Sequence, residues 1–296
     1  DYIDPMWLTL AARGSRPGAA ARLRGAGVGV CLNLDPHLMD TETVLSEFAR
    51  ASADADLAIV EGNHGLFDGL SLDGRDSNAA LARLLDAPVL LVVDVRGMTR
   101  GIAPLLLGYR AFDPALRLGG VLLNRVGGAR HEAKLRAVIE HYVGIPVLGA
   151  VADDPQMALA ERHLGLAPCA ETDEAEPRLR RIASRLSDQV DLEAVAELAR
   201  AAPALDPGTA LAAARGLPRH GAASHRPGAG LRVGVAMDRA FGFYYPDDLA
   251  AFASLGATLV PFDALHDARL PPVDALFIGG GFPETQAEQL ARNASL

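Results

Sequence analysis

Apolar and polar positions along the chain fall into two alternating patterns. Short apolar runs end abruptly at a polar residue or a glycine. Amphipathic stretches at helical spacing separate them. Bounded apolar runs of this length predict buried strands of a parallel sheet. They lie at 57–60 (LAIV), 87–94 (APVLLVVD), 118–124 (LGGVLLN), 145–151, 231–237 (LRVGVAM), 257–262 and 273–278. The helical pattern covers 41–51, 77–85, 98–109, 131–141, 191–201 and 247–254. Strands alternating with helices make βαβ units, so the expected fold class is α/β with parallel sheets.

Three stretches give weaker patterns. Residues 1–5 (DYIDP) read as the tail of a strand running into a turn, and 33–36 (NLDP) as a second turn and helix start. Residues 154–166 read as a helix whose end carries Glu161, Arg162 and His163, with no catalytic arrangement among them. Between 202 and 230 the composition shifts to Pro203, Pro207, Pro218 and Pro227 with several glycines, which predicts a linker. The pattern of the first part then restarts at 231, and the remaining 66 residues are too few for a complete α/β domain.

Composition narrows the classes. Half of the 296 residues are hydrophobic, so core material is plentiful. The net charge of −9 argues against a general nucleic-acid binder. Cys31 and Cys169 form neither a disulfide framework nor a metal-ligand spacing, which fits a cytoplasmic chain. No apolar run approaches the ~20 residues that span a bilayer. The chain begins DYIDPMW without an initiator Met and ends at NASL just after a helix-like run, so we expect a piece of a longer protein.

The candidate chemistry sits where strands are expected to end, because ligands of parallel sheets collect at the carboxyl ends of the strands. The central stretch is LAIVEGNHGLFDG, at 57–69. Glu61 closes its apolar run, and Asp68 follows in a loop with Gly62, Gly65 and Gly69. Two such carboxylates can hold a hard cation such as Mg²⁺ beside a phosphate; a strand cap and a solvated turn would look the same. Asp94 and Asn124 also end apolar runs. Asp94 either contacts metal or phosphate through water or caps the next helix. Asn124 offers a donor and an acceptor, which suits a purine edge, with Arg125 and Gly127-Gly128 behind it. Asp1 and Asp4 either face one site or cap a helix. Gly279-Gly280-Gly281 follows a predicted strand. Such a turn forms an oxyanion hole or a tight connection.

Side by side, these motifs resemble the cobyrinic acid a,c-diamide synthase family, the glutamine-dependent amidases of corrin biosynthesis. The resemblance rests on DYIDP at 1–5, NLDP at 33–36, VEGNHGLFDG at 60–69, NAALARLLDAPVLLVVD at 78–94, GVLLNRVGGARH at 120–131, ERHLGL at 161–166, FYYPDDL at 243–249 and GGGFPE at 279–284. The related cobyric acid synthase branch is less similar, since the two-carboxylate loop is of the a,c-diamide type. The resemblance implies a P-loop NTPase-like, ATP-dependent amidation domain at 1–201, lacking its N-terminus. A linker at 202–230 and a truncated class I glutamine amidotransferase domain at 231–296 complete the expected organisation. It implies that ATP activates a corrin carboxylate as an acyl phosphate, which ammonia from L-glutamine displaces. Asp1, Asp4, Glu61 and Asp68 then fall on the family's acidic positions for ATP–Mg²⁺ and substrate activation. Gly280 and Gly281 fall on the oxyanion-hole turn, while Asp94 and Asn124 are assigned to cofactor binding from their place at the ends of apolar runs.

The implied partners are cobyrinic or hydrogenobyrinic acid and glutamine, without nucleic acid or membrane, in a possible homodimer. The family's GxxxxGK[ST] loop and glutaminase cysteine are absent from these residues, so the chain alone is expected to be inactive. Other readings are a partitioning-type ATPase, a dethiobiotin synthetase-like ligase, an amidase of another tetrapyrrole such as Ni-sirohydrochlorin, and a non-catalytic binding protein. FYYPDDL and GGGFPE argue against the first two.

Overall fold

A computed structural model describes residues 2–14, 29–159, 161–162, 165–172, 174–203, 205 and 226–296. In chain order it begins with α1 (Ile3–Arg13). This replaces the expected strand tail at 1–5. Ile3, Trp7 and Leu10 recur at helical spacing and bury one face. Pro5 falls in the first turn, where a missing N–H costs no hydrogen bond.

Next come α2 (Thr41–Ser52) and α3 (Asn78–Leu84). Both start on side-chain caps: Asp40 accepts from the Thr43 N–H and Ser77 from the Ala80 N–H. The helix start expected at 33–36 is a turn instead. Asp35 Oδ1 accepts from the His37 and Leu38 N–H groups, which holds the chain out of helix until Asp40.

A three-stranded parallel sheet follows in the order β1 (Val89–Asp94), β2 (Leu118–Val126), β3 (Val147–Ala152). Helices α4 (Ile102–Phe112) and α5 (Ala129–Tyr142) are its crossovers. Ile102 and Leu106 of α4, Leu135 and Ile139 of α5, and Val93, Val121 and Leu123 of the sheet form one core. The apolar run at 57–60 does not join this sheet. A strand persists only as part of a ladder, and among the described residues 57–60 has no strand partner, with Ile59 81% exposed.

The helix expected at 154–166 is replaced by a two-residue pairing of β4 (Glu161–Arg162) with β5 (Gly165–Leu166). His163 lies outside the described residues. Helices α6 (Ala175–Ser187) and α7 (Leu192–Arg200) come next. Most of the expected linker, 206–225, also lies outside the described residues.

The C-terminal stretch contains β6 (Arg232–Ala236), β7 (Phe241–Phe243), α8 (Pro246–Ser254), β8 (Thr258–Phe262), β9 (Ala275–Phe277), β10 (Gly280–Gly281) and α9 (Ala287–Arg292). Strands β8, β6 and β9 form a parallel sheet in that order, while β7 pairs antiparallel with β10. The described residues are therefore α/β, with two short parallel sheets among them.

The chain divides into two compact units. One takes the described residues of 34–158 and 181–216, including α2 to α5 and the β1-β2-β3 sheet. The other takes those of 1–33, 159–180 and 217–296, so α1 belongs with β6 to β10. In the second unit Ile3, Trp7 and Leu10 of α1 pack with Phe243 and Phe282.

Candidate functional site

In the first unit, β1 and β2 end together. Asp94 and Asn124 are register partners across the parallel ladder. The ladder continues one bond further, with the Val95 N–H donating to the Asn124 carbonyl at 3.0 Å. Both predicted polar residues are thus brought to one edge by strand pairing alone. Arg125 bridges the acids around it, with Nη1 3.4 Å from Asp94 Oδ2 and Nε 4.0 Å from Asp153 Oδ1. Arg96 adds a charged fork at 2.8 Å from Asp94 Oδ2. Hydrogen bonding from the Arg96 side chain, then from its backbone N–H, holds the Asp94 carboxyl below the usual carboxylate range. These pairs are solvent-exposed and screened, so they orient side chains more than they stabilise the fold.

Arg125 has φ of +60°, unusual for a residue with a side chain. It sits where the β2–β3 register shifts, and the bulge aims its guanidinium at the strand ends. The backbone N–H of Arg125 donates to Asn124 Oδ1 at 3.0 Å, which fixes that amide's orientation. Replacing Arg125 by glycine should relieve roughly 1 kcal/mol of left-handed strain. Arg125→Ala should keep the strain. Thermal unfolding of both variants checks this, and equal stability of the two would show that the backbone at 125 is not strained.

His131 ties the two strand-end loops together, which the sequence did not suggest. Its Nδ1 accepts from the Gly127 N–H at 3.0 Å, so Nε2 carries the proton and donates to the Met98 carbonyl at 2.6 Å. Gly128, with φ of +122°, turns the chain into α5 at this point.

The loop that carries Glu61 and Asp68 belongs to the same unit. It is held through its backbone. Asn78 Nδ2, at the start of α3, donates to the His64 carbonyl at 3.0 Å, and the Ala79 N–H donates to the Leu66 carbonyl at 2.8 Å. Asp68 folds back so that its carboxylate lies against Gly65, and a Cβ there would require that side chain to move. Glu61 and Asp68 are exposed, and neither has a salt bridge among the described residues. Among the described residues no three His, Cys, Asp or Glu side chains gather into a metal site by themselves.

In the second unit, Asp4 lies in the first turn of α1, where the helix dipole favours a carboxylate. Asp1 lies outside the described residues. The Gly279–281 turn is shaped by two contacts that sequence reading missed. Gly280 pairs with Phe243 and Gly281 with Phe241. The Tyr244 hydroxyl accepts from the Gly279 N–H at 2.9 Å and donates to the Ala236 carbonyl at 2.6 Å. Burial pushes the Tyr244 phenol up, so it stays a neutral donor. The FYYP motif at 243–246 was the available signal for these contacts.

Two family models match the chain. An AAA domain matches residues 32–160, and a CobB/CobQ-like glutamine amidotransferase domain matches 232–296. Proteins named cobyrinate a,c-diamide synthase are similar over almost the whole chain. That of Magnetococcus marinus is 42% identical over 294 residues, 99% of this chain and 58% of its own length. Those of Syntrophotalea carbinolica and Methanosarcina acetivorans are 41% and 38% identical, covering 59% and 57% of their own lengths. Over that shared region, the chain is similar to these cobyrinate a,c-diamide synthases. It therefore spans less than two thirds of the length of these curated relatives. No solved structure matches it. No helix among the described residues is long and apolar enough to cross a membrane.

Proposed function

We propose that the intact protein catalyses the ATP-dependent, glutamine-hydrolysing amidation of the a- and c-side-chain carboxylates of cobyrinic acid. The observation that carries this is similarity over 99–100% of the chain to three proteins of that name. The amidotransferase match at 232–296 supports glutamine as the nitrogen source, and the AAA match supports ATP. In this reading residues 1–201 serve ATP-dependent activation, 202–230 link, and 231–296 open the amidotransferase part, in a cytoplasmic enzyme.

Roles follow from chemistry. A carboxylate and ATP repel each other, so charge must be neutralised while the phosphoryl group moves. When bound, Mg²⁺ supplies that neutralisation. Glu61 and Asp68 would hold it, and Asp4, with Asp1, would serve substrate activation. Asn124 would face the adenine edge, while Arg96 and Arg125, oriented by Asp94, would face nearby anionic groups. Gly280 and Gly281 would present backbone N–H groups to the oxyanion formed during glutamine hydrolysis.

The test is to incubate the intact protein with ATP, Mg²⁺, glutamine and cobyrinic acid and follow the corrin by mass spectrometry. Two successive replacements of OH by NH₂ are expected. Turnover of hydrogenobyrinic acid or Ni-sirohydrochlorin, with none of cobyrinic acid, would keep the chemistry and change the substrate. No turnover of any tetrapyrrole would overturn the reading.

A further inference from the structure

The first described residue, Tyr2, stacks on residues from the far end of the sequence, all within the second compact unit. Its ring lies 4.4 Å from that of Tyr245, tilted by 26°. It lies 5.4 Å from that of Phe243, within 6° of parallel. Side-chain hydrogen bonding with Tyr245, then burial, pushes the Tyr2 phenol up to about 12, so it stays protonated. Tyr2 is the N-cap of α1, two residues before Asp4.

The same short stretch shapes the triple-glycine turn. Phe243 pairs with Gly280 through its backbone and meets Phe282 edge-on at 5.3 Å. Tyr244 holds Gly279 through its hydroxyl. Three consecutive residues, 243–245, therefore touch both the segment bearing Asp4 and the glycine turn. Phe243 and Phe282 also share the core of Ile3, Trp7 and Leu10. A displacement of α1 cannot leave this turn unaffected, because close-packed interiors transmit shifts.

We propose that Tyr2, through Tyr245 and Phe243, is a positioning residue that couples glutamine hydrolysis at the glycine turn to amidation. It touches neither the glycines nor the reacting carboxylate directly. Its role is to hold the Asp4 helix and the turn in one relative arrangement, so that ammonia is released only where it is used. This rests on the proposed function.

The test compares two nitrogen donors in the intact protein with ATP, Mg²⁺ and cobyrinic acid. Tyr2→Ala and Tyr245→Ala should lower glutamine-supported amidation about tenfold, within the usual range of coupling between sites. The rate with ammonium chloride should stay within about twofold, since free ammonia bypasses the turn. Glutamine hydrolysis in the variants should also lose its response to ATP and cobyrinic acid. Tyr2→Phe, which keeps the stack and loses the hydroxyl, should fall between wild type and Tyr2→Ala. Equal loss with both donors would mean a structural role only and would overturn the coupling. So would wild-type behaviour with both donors. A wild-type protein that amidates with neither donor would instead overturn the proposed function, and this inference with it.

Discussion

Gly281→Ala is expected to separate β7 from β10 and to lower the stability of that unit by about 3 kcal/mol, at the upper end of typical overpacking effects. A Cβ at Gly281 would fall deep inside contact distance of the Ala240 carbonyl, and would also lie 3.2 Å from Phe241 Cα. These are backbone atoms, which cannot rotate away as a side-chain tip can. The turn at 238–241 is itself fixed, because Asp238 Oδ1 accepts from the N–H groups of Ala240 and Phe241 at 2.7 and 2.9 Å. The strain must therefore be released by unpairing the strands or by unfolding. Gly280→Ala is the internal control. Its Cβ would meet only the Phe243 side chain at 3.4 Å or more, an ordinary contact, so it should cost less than about 1 kcal/mol. Thermal unfolding and amide exchange at Gly281 check the pair. Equal stability of the two variants would show that the turn adapts. Glutaminase activity of the intact protein should fall with the first substitution and survive the second.

This contrast also shows how far the amino-acid sequence is legible. A glycine triplet after an apolar run is visible in the text, but which glycine faces backbone is decided by the β7–β10 pairing. Strand β7, FGF, is three residues long and lies between Ala240 and Tyr244, too short for its pattern to carry a periodicity. The regular elements were readable where local signals agreed. Helices α2 and α3 begin on Asp40 and Ser77 caps, and β1 and β2 are apolar runs closing on Asp94 and around Asn124.

Misreadings arose where partners, rather than composition, decide. The run at 57–60 has a strand's composition without a ladder among the described residues. At 161–166 the pairing of Glu161–Arg162 with Gly165–Leu166 overrides helical spacing. Helix α6, AEPRLRRIASRLS, was missed because its apolar stripe is narrow and a proline stands near its start. The placing of Asp94 and Asn124 at the ends of neighbouring strands was legible from the apolar pattern. The groups that orient them were not. Arg125 on Asp94, His131 on the Met98 carbonyl, and Tyr2 against Tyr245 are contacts across sequence distance, and no local pattern encodes them.

The other large effect is expected at the loop acids. Asp68→Asn and Glu61→Gln should each lower the amidation rate of the intact protein on the order of 100-fold, corresponding to several kcal/mol of charge stabilisation in the transition state. Each substitution keeps the shape of the side chain and removes its charge. The loop should keep its fold, because it is held by Asn78 and by the Ala79 N–H rather than by either acid. Both carboxylates are exposed, so thermal stability should change by less than about 0.5 kcal/mol. On the proposed reading, the rate loss should come with an increased Mg²⁺ requirement, because one of the two proposed oxygen ligands becomes neutral. A Mg²⁺ titration of the rate at saturating ATP reads this directly. If both variants keep the wild-type Mg²⁺ dependence while losing activity, the acids act on the substrate carboxylate instead of the metal. If both keep wild-type activity, the loop is only a surface turn and the acidic site must be sought elsewhere.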